Sequence, residues 1–380
     1  MTPFGLILPE RTLFGRGCRN EAAQRVAGLG QRVLLVRGRS VGWVDDLAAD
    51  LRSYGLAAIE LFSGGEPTLD QLRDLLEQAR RFRPDCVLAV GGGATIDLGK
   101  AIAALARSES DPLVHFEVIG EGKPITPDPL PFIAMPTTSG TGAEATKNAV
   151  IAVPEQAIKV SLRDDRMIPD LAIVDPGLTD GAPKQVTLAT GLDAITQLIE
   201  SYLSRRANPV TDALCRGALP GAIAALACLM ETEDADARDS LSRASYVSGI
   251  ALANVGLGVV HGLAAVIGGR GGAHGAVCGR LLPAALTVNE RVAREKDLDN
   301  ARFRQIDSWL TESLGGASGT GPQSLRRFVD QHGLSTLEAL GCSQEKHYEL
   351  ARLAMNASST RTNPVTLNEH EIAEILHEAG

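Results

Sequence analysis

Two His-Gly pairs begin at His261 and His274, in an apolar, glycine-rich stretch of a chain that has only seven histidines. Imidazole is a common protein ligand of Zn and Fe, so two histidines that converge could bind one metal ion. Asp193 lies among apolar residues on a predicted helix, where a carboxylate is costly unless it is paired or metal-bound. Gln197 follows one helical turn later and could direct its amide oxygen at the same ion. These four residues predict a site for a divalent metal, Fe or Zn.

Each of these residues also has an ordinary structural explanation. An aspartate near a helix start often forms a salt bridge or complements the helix dipole, and a lone histidine is more often a hydrogen-bonded core residue than a ligand. The metal site is favoured because Asp193, His261 and His274 together make the two-His, one-carboxylate set of catalytic Fe and Zn sites.

A run of three glycines follows a predicted buried strand and opens a predicted helix. The run is Gly91, Gly92 and Gly93, followed by Ala94. Bare backbone N–H groups at a helix start attract a phosphate. The spacing differs from the G-x-G-x-x-G of many dinucleotide-binding loops, because Ile96 stands in place of the third glycine. A plain strand-to-helix turn is the alternative, but three consecutive glycines carry an entropic cost that a closely approaching ligand would explain.

A second polar loop, residues 135–144, follows another predicted strand. Hydroxyl side chains and glycines at the carboxyl end of a strand suit the ligand crevice of an open α/β sheet. An ordinary polar connection is the alternative, and the presence of two such loops at two strand ends argues against it.

The chain from residue 32 to about residue 174 alternates short apolar runs with longer amphipathic ones. Strand followed by helix, repeated, predicts an α/β unit with a largely parallel sheet. The predicted strands are residues 33–36, 57–62, 86–90 and 132–135, and the predicted helices are residues 41–54, 69–82 and 95–106.

The second half of the chain is rich in Ala and Leu and predicts an all-helical domain. We expect the boundary near residues 176–183, which gives an α/β domain of residues 1–180 and a helical domain of residues 181–380. The predicted helices are residues 184–204, 209–230, 237–257, 283–295, 301–314, 324–331, 344–355 and 369–378.

The composition is that of an ordinary soluble globular protein, with 44% hydrophobic and 22% charged residues. A net charge of −9 argues against a nucleic-acid or anionic-membrane partner. Six cysteines without a C-x-x-C pair do not suggest a disulfide framework, so we expect a reducing cytoplasm. We expect no secretory signal at the N-terminus. We also expect no membrane-spanning helix, because apolar segments such as residues 214–230 are interrupted by charge or glycine.

Several segments of the chain resemble the group III, or iron-containing, alcohol dehydrogenase family. They are VGGGATIDLGKAIA, PLPFIAMPTTSGTGAEAT, KVSLRDDRMIPDLAIVDPGLT, TGLDAITQLIESYLSRRANPVTDAL, GVVHGLAAVIGG with the later AHG, and NPV before EHEIAEIL. The motifs follow one another in order across nearly the whole chain. The resemblance implies a dehydroquinate synthase-like fold: a nucleotide-binding α/β domain with a mostly parallel sheet, an all-helical metal-binding domain, and a cleft between them. It also implies a homodimer.

The resemblance assigns cofactor and metal contacts to individual residues. The cofactor-binding residues that it implies are Gly91, Gly92, Gly93, Ala94, Asp97, Thr137, Thr138, Thr141, Thr146 and Lys159. The metal ligands that it implies are Asp193, Gln197, His261 and His274. Gln197 replaces the histidine usual in the family, and a neutral oxygen in place of that nitrogen should weaken Fe(II) or Zn(II) binding without abolishing it. Ala265 stands where many members carry a histidine credited with proton relay, so no side chain is assigned as general acid or base.

Residues 38–40 bear on the choice between NAD and NADP. The first strand of such a fold ends near the adenosine ribose, where an acidic residue would repel a 2′-phosphate. Family members that prefer NAD often have Asp at the position of Gly38. Gly38, Arg39 and Ser40 provide room, a cation and a hydroxyl, which favours NADP or the use of both cofactors. The alternative is that Arg39 simply points into solvent.

The implied activity is reversible NAD(P)-dependent oxidation of a small alcohol by hydride transfer to nicotinamide C4, with the metal as Lewis acid. One alternative is an oxidoreductase of the maleylacetate reductase or glycerol dehydrogenase kind. Others are a lyase of the dehydroquinate synthase kind and a nucleotide-binding relative that has lost metal and catalysis. A lyase predicts a Lys and Arg cluster facing the metal, and the sequence offers only Arg270 and Arg280 for it.

Overall fold

The structure is a computed structural model of the chain, and it describes residues 3–39, 42–117, 119–156 and 158–380. These residues divide into two compact units. The α/β unit comprises residues 7–138 and 142–179. The helical unit comprises residues 180–380, together with residues 139–141 and the N-terminal residues up to Leu6. Ser40, which is predicted to contact the cofactor, lies outside the described residues.

The α/β unit is built on a parallel sheet. The strands of the unit are β1 (Arg11–Phe14), β2 (Arg32–Arg37), β3 (Ala57–Phe62), β4 (Cys86–Gly91), β5 (Phe132–Pro136), β6 (Asn148–Val153), β7 (Ile158–Arg163) and β8 (Leu171–Val174). The sheet order is β1-β8-β5-β4-β2-β3, with every neighbouring pair parallel, while β6 and β7 form a separate antiparallel pair. The chain steps outward from β2 to β3 and then returns past β2 to β4. Ligands of open α/β sheets bind at such a reversal, beyond the carboxyl ends of the strands.

Both faces of the sheet are covered by helices. Val33 and Leu35 of β2 pack into one apolar cluster, and Leu34 and Val36 pack into the other. Successive residues of a strand point to opposite faces, so each cluster receives every second residue. The helices on the first face are α1 (Ala22–Ala27) and α2 (Val44–Ser53), and those on the second are α3 (Leu69–Phe82) and α4 (Gly93–Leu105). Burial on both faces explains why β4 is apolar along its whole length.

The prediction of an α/β domain with a mostly parallel sheet is confirmed. The apolar runs do not predict β1, β6, β7 and β8. Strand β1 has no buried residue and so lacks a buried apolar run, whereas β8 is a buried apolar run of four residues that the prediction missed. Strands β6 and β7 alternate buried and half-buried residues and therefore lack the continuous apolar run of the central strands.

The helical unit is arranged around one buried helix. The helices of this unit are α5 (Lys184–Leu203), α6 (Pro209–Glu231), α7 (Ala235–Val255), α8 (Val259–Gly268), α9 (His274–Glu295), α10 (Ala301–Leu314), α11 (Gly321–Gln331), α12 (His347–Met355) and α13 (Glu369–Ala379). Helix α5 packs against α6, α7 and α9, and every residue from Gly191 to Leu203 is buried. Polar side chains on this part of α5 must therefore find partners inside the unit.

The prediction of a helical C-terminal domain is confirmed, but the start of α9 differs from the prediction. The pattern predicts a helix from residue 283, because proline favours the first turn of a helix. In the structure Pro283 lies inside α9, which begins at His274. Helix α8 is not predicted at all, because its segment is rich in glycine.

One described helix, α6, is long and apolar enough by length and composition to cross a membrane, and the bent pair of α7 and α8 passes the same test together. The expectation that residues 214–230 fall short of a span is therefore wrong on these criteria, since Arg216 is the single charge among them. The buried side chains of this segment belong to the core of the helical unit, where α6 packs against α5 and α7. Core helices of soluble proteins pass the same test.

Candidate active site

Three polar side chains lie on one face of α5. Gln197 lies four residues after Asp193, and Glu200 lies seven residues after Asp193. This spacing places the three side chains above one another along the helix. All three are buried, with Asp193 only 2% exposed. This face of α5 therefore presents two carboxylates and an amide to the interior of the helical unit.

Glu200 fixes the position of His261. Its Oε2 lies 2.7 Å from Nδ1 of His261, and its Oε1 accepts the backbone N–H of Val260 at 2.7 Å. A carboxylate accepts hydrogen bonds, so Nδ1 carries the proton and donates it to Glu200, which leaves Nε2 as the free nitrogen. That Nε2 lies 3.3 Å from Oδ1 of Asp193. A histidine held in one tautomer by a carboxylate is the usual arrangement of a metal-ligating imidazole.

His274 and Cys278 reach the same point from α9. His274 is the first residue of this helix and Cys278 follows one turn later, so both lie on one helix face. Nε2 of His274 lies 3.7 Å from Oδ1 of Asp193. Sγ of Cys278 lies 3.7 Å from Nε2 of His261 and 3.8 Å from Nε2 of His274. Asp193, His261, His274 and Cys278 form the four-residue cluster, in which one atom of each residue lies within 4.8 Å of the others.

The glycine of each His-Gly pair permits a close approach of helices. A Cβ on Gly275 would lie 2.4 Å from the carbonyl oxygen of Ala189, so α9 could not pack as closely against α5 with any other residue there. A Cβ on Gly262 would lie 2.0 Å from Oγ1 of Thr360. Gly275 therefore lets α9 bring His274 close to α5, and Gly262 makes room for Thr360 beside α8.

The charges in the four-residue cluster depend on one another. Burial by itself raises the pKa of Asp193, but the imidazoles of His274 and His261 lower it below its usual value. Burial by itself lowers the pKa of both histidines, whereas the neighbouring sulfur of Cys278 and carboxylate of Asp193 raise it, most strongly at His261. The acidic groups of the cluster thus require nearby positive charge, and a divalent cation would supply it while both histidines stayed neutral.

Asp193 gives a direct test of whether the cluster fits a metal ion. Its Oδ1 is buried and accepts no hydrogen bond from any described residue. A buried carboxylate oxygen without a partner is costly, and coordination of a cation would remove that cost. The donors around it are imidazole nitrogen and thiol sulfur, which are ligands of divalent transition metals. The residues present therefore fit a divalent metal ion.

Gln197 and Ala265 lie beside the cluster. Oε1 of Gln197 accepts a hydrogen bond from Oγ of Ser248, 2.8 Å away. Its role as the fourth ligand remains a prediction. Ala265 lies one turn after His261 on α8 and presents only a methyl group, so this position supplies no proton relay.

The two polar loops of the α/β unit begin side by side. Strands β4 and β5 are neighbours, with Gly91 opposite Pro136, and the N–H of Thr137 donates to the carbonyl of Gly91 at 2.9 Å. The end of β2 lies on the other side, since the N–H of Gly38 donates to the carbonyl of Val90 at 3.3 Å. Both loops therefore start at the carboxyl edge of the sheet, next to the reversal of strand order.

The glycine run leaves the first turn of α4 open to a ligand. Gly92 precedes α4 and provides no side chain to cap it, so the first N–H groups of the helix are available to a phosphate. A Cβ on Gly92 would lie 3.5 Å from Oγ1 of Thr138, so the two predicted cofactor loops lie next to each other. Asp97, further along α4, accepts the backbone N–H of Val150 at 3.0 Å and so ties α4 to β6.

Lys100 is a buried cation that holds the second polar loop. Its Nζ lies 2.7 Å from the carbonyl oxygens of Ala143 and Thr146, 2.8 Å from Oγ1 of Thr146 and 3.0 Å from the carbonyl of Asn148. Burial lowers its pKa to about 8, opposed by the nearby carboxylates of Asp97 and Glu144. The hydroxyl of Thr146, a predicted cofactor contact, is thereby engaged inside the unit.

The remaining predicted cofactor residues have different surroundings. Arg39 is exposed, and its guanidinium lies 4.7 Å from the centre of the Phe62 ring. Lys159 is 8% exposed and forms an ion pair with Glu66 at 3.1 Å. Thr141 belongs to the helical unit. The assignment of these residues to the cofactor stays a prediction.

Two family models together match most of the chain: iron-containing alcohol dehydrogenase over residues 9–176, and the C-terminal domain of the Fe-containing alcohol dehydrogenase family over residues 187–380. The chain belongs to the iron-containing alcohol dehydrogenase family. It is 30% identical to the NAD-dependent methanol dehydrogenase of Bacillus methanolicus, with 100% of each chain covered. It is 31% identical to the 1,3-propanediol dehydrogenase of Klebsiella pneumoniae, covering 99% of this chain and 98% of that protein. Its structure is similar to that of the alcohol dehydrogenase from Oenococcus oeni, with a TM-score of 0.88, 26% identity and 100% of each chain covered.

Membership of the iron-containing alcohol dehydrogenase family confirms the resemblance found in the motifs, and with it an alcohol oxidoreductase. Three residues of this site were not found from the sequence: Glu200, Cys278 and Lys100. Glu200 and Lys100 each give a signal, since each is a charged residue within an apolar helical segment. Cys278 gives no such signal in the sequence. It shares a helix face with His274 only because α9 begins at His274, which the sequence did not predict.

Proposed function

We propose that this member of the family is a metal-dependent, NAD(P)-linked dehydrogenase that interconverts a small alcohol and its aldehyde or ketone by direct hydride transfer. The observation that carries the proposal is the convergence of Asp193, His261 and His274 from three helices around a buried carboxylate oxygen that accepts no hydrogen bond from the residues that the structure describes. Such a carboxylate is costly in a core, so the convergence favours a bound cation over ordinary packing.

Asp193, His261 and His274 would hold the metal, and Gln197 is the fourth ligand that the family pattern implies. When bound, the metal supplies Lewis acidity at the substrate oxygen. Glu200 keeps Nε2 of His261 free for coordination. Because Ala265 carries no titratable group, the substrate proton passes through water or the ribose hydroxyl.

The cofactor is proposed to bind the α/β unit with its pyrophosphate at the start of α4. The residues proposed to contact the cofactor are Gly38, Arg39, Ser40, Gly91, Gly92, Gly93, Ala94, Asp97, Thr137, Thr138, Thr141, Thr146 and Lys159. The exposed N–H groups after Gly92 suit the negative charge of the pyrophosphate. Lys100 contributes by fixing the loop that carries Thr146.

NADP is the preferred form of the cofactor in this proposal, with NAD also accepted. Gly38 follows β2 without a carboxylate that would repel a 2′-phosphate. Among the described residues, a Cβ at this position would meet only Oγ1 of Thr95, at 3.9 Å. Arg39 is exposed nearby and supplies a cation for the phosphate.

The substrate is proposed to be a small alcohol or the corresponding carbonyl compound. The two relatives named above are a methanol dehydrogenase and a 1,3-propanediol dehydrogenase, and both names refer to small primary alcohols. The net charge of −9 and the absence of a C-x-x-C pair support a cytoplasmic enzyme without nucleic-acid or membrane partners. A homodimer is proposed from the family resemblance.

The test is an oxidation assay of NADPH and NADH. Purified protein is stripped of metal, reloaded separately with Zn, Fe and Mn, and assayed with small aldehydes, ketones and keto acids. We expect turnover that depends on the added metal and falls at least about 100-fold in Asp193→Asn. Asp239→Asn, on α7, serves as a control. Absence of turnover with every metal and substrate would overturn the proposal in favour of a relative that has lost catalysis.

A further inference from the structure

Cys278 belongs to the apolar core of the helical unit, but its sulfur lies against polar side chains that the core does not otherwise contain at this point. Its side chain is fully buried, and its Sγ lies 3.7 Å from Nε2 of His261 and 3.8 Å from Nε2 of His274. A buried cysteine is usually a small apolar residue among apolar neighbours. Here the sulfur also lies within 4.8 Å of the nitrogen and oxygen donors of Asp193, His261 and His274. These surroundings are those of a metal ligand.

The separations within the four-residue cluster match those of ligands around one ion. Four ligands in a tetrahedron around Zn²⁺, with Zn–N and Zn–O bonds of about 2.0–2.1 Å and a Zn–S bond of about 2.3 Å, lie about 3.3–3.6 Å apart. The separations in the cluster are 3.3 Å and 3.7 Å from Asp193 to the two histidines, and 3.7 Å and 3.8 Å from Cys278 to the same nitrogens. For these four pairs a contraction of at most about 0.4 Å would reach the spacing of ligands around one ion, and all four donor atoms lie within 4.8 Å of one another.

The orphaned carboxylate of Asp193 is an independent indication of a cation. Asp193 is 2% exposed, and its Oδ1 faces the two histidines without accepting a hydrogen bond from the described residues. A carboxylate and a thiolate together carry two negative charges. A divalent cation would balance both charges, with the two imidazoles neutral.

The competing fourth ligand, Gln197, has another polar neighbour. Its Oε1 lies 2.8 Å from the hydroxyl of Ser248 on α7, whose single proton is shared with the carbonyl of Ser245, 2.7 Å away. Coordination by Gln197 would have to share that oxygen with Ser248, and an amide oxygen is a weaker ligand for Zn²⁺ than a thiolate. Cys278 needs no such exchange, because its Sγ already lies 3.7 Å and 3.8 Å from the Nε2 atoms of the two histidines.

We infer that Cys278, and not Gln197, is the fourth protein ligand of the metal centre, and that it makes the centre a Zn²⁺ site. The thiol would release its proton on binding and coordinate as thiolate. Two histidines and a carboxylate alone serve both Fe²⁺ and Zn²⁺, whereas an added thiolate is a soft ligand that favours Zn²⁺. The inference rests on the metal dependence in the proposed function and adds the identity of the fourth ligand and of the ion.

The first experiment reads the ligands without using activity. Metal-free protein is titrated with Co²⁺, and we expect a thiolate-to-cobalt charge-transfer band in the near ultraviolet at one ion per chain. X-ray absorption of the Zn²⁺ form should show one sulfur at about 2.3 Å. Both signals should vanish in Cys278→Ser and persist in Gln197→Ala. Cys215→Ser, which changes a buried cysteine on α6, is the matched control and should keep both signals.

The second experiment measures affinity. Competition with a chelator should show that Cys278→Ser binds Zn²⁺ more than about 100-fold more weakly, a loss beyond that of an outer-shell change. The ratio of Zn²⁺ to Fe²⁺ affinity should fall in this variant. Circular dichroism and thermal unfolding of the metal-free variants exclude misfolding as the cause.

The outcomes separate this inference from the proposed function. A metal-loaded, active protein whose spectrum has no sulfur signal, or loses it in Gln197→Ala, overturns the assignment of Cys278 and leaves the dehydrogenase intact. A sulfur signal that depends on Cys278 in a protein without turnover supports the assignment and counts against the proposed function. Failure of wild-type protein to bind Zn²⁺ or Co²⁺ overturns the inference.

Discussion

Glu200 holds His261 at two points: its Oε2 lies 2.7 Å from Nδ1 of the imidazole, and its Oε1 accepts the N–H of the preceding residue, Val260, at 2.7 Å. The carboxylate thus fixes both the tautomer of His261 and the start of α8. This pair links the last turn of α5 to the histidine that faces Asp193, so the metal affinity should depend on a residue that does not touch the metal.

We expect Glu200→Gln to lower Zn²⁺ affinity by about 10–100-fold. The glutamine side chain of this variant has one acceptor oxygen and one NH₂ group in place of the two carboxylate oxygens. If its oxygen accepts the Nδ1 proton of His261, its NH₂ group faces the N–H of Val260, and two donors then oppose each other. The measurement is chelator competition on the metal-free protein. Glu295→Gln, at the exposed end of α9, is the control and should leave the affinity unchanged. An unaltered affinity in Glu200→Gln would show that Glu200 does not position the ligand.

Lys100→Met should destabilise the α/β unit by at least about 2 kcal/mol. The substitution keeps most of the apolar stem but leaves the buried oxygens around Ala143 and Thr146 without their donor. Urea unfolding measures the loss, and limited proteolysis should show earlier cleavage in residues 142–148. Lys123→Met, which changes an exposed lysine of the same unit, should stay within about 0.5 kcal/mol of wild type. Equal effects of the two substitutions would refute a structural role for Lys100.

The sequence was sufficient to predict the central strands and three of the clustered residues. Asp193, His261 and His274 are rare residue types in apolar surroundings, and the family motifs place them in order. Cys278 could not be found in the same way, because the favoured start of the helix at Pro283 left residues 274–282 without a defined face. Once α9 is seen to begin at His274, the spacing of four residues places Cys278 on the side of the histidine.

The parts of the fold that the sequence did not predict have weak local patterns. Strands β1 and β8 obtain their hydrogen bonds from each other, although their segments lie far apart in the chain. The contacts of Lys100 likewise depend on the path of residues 143–148, which no periodicity specifies. Such features follow from tertiary packing, which overrides local preference.

Gly38→Asp should shift cofactor preference from NADP towards NAD by at least about tenfold in the ratio of kcat/KM values. A carboxylate at the end of β2 would repel a 2′-phosphate and accept a hydrogen bond from the ribose hydroxyl. In the part of the chain that the structure describes, a Cβ at this position meets only Oγ1 of Thr95, at 3.9 Å, which leaves room for the side chain. Gly38→Asn, equal in size but uncharged, is the matched control. An equal change in the ratio of kcat/KM values in both variants would show that the size of the side chain, and not its charge, alters the cofactor preference.

Glu144→Gln should remove part of the pH dependence of stability. Burial raises the pKa of Glu144 from 4.5 to about 7, with its own backbone and Lys100 opposing the rise. Because the folded state holds this proton more tightly than the unfolded state, its contribution is present in full below pH 4.5 and is lost as the pH rises towards 7. The shift corresponds to about 3 kcal/mol.

Glutamine stays neutral at every pH, so Glu144→Gln should match wild type near pH 4 and exceed its free energy of unfolding by up to about 3 kcal/mol at pH 8. The measurement is urea unfolding of both proteins at several pH values between 4 and 8. Glu155→Gln, at an exposed position of the same unit, should follow the wild-type profile. A difference between Glu144→Gln and wild type that is constant with pH would mean that Glu144 does not take up a proton in this range, and that its carboxylate is stabilised by Lys100 instead.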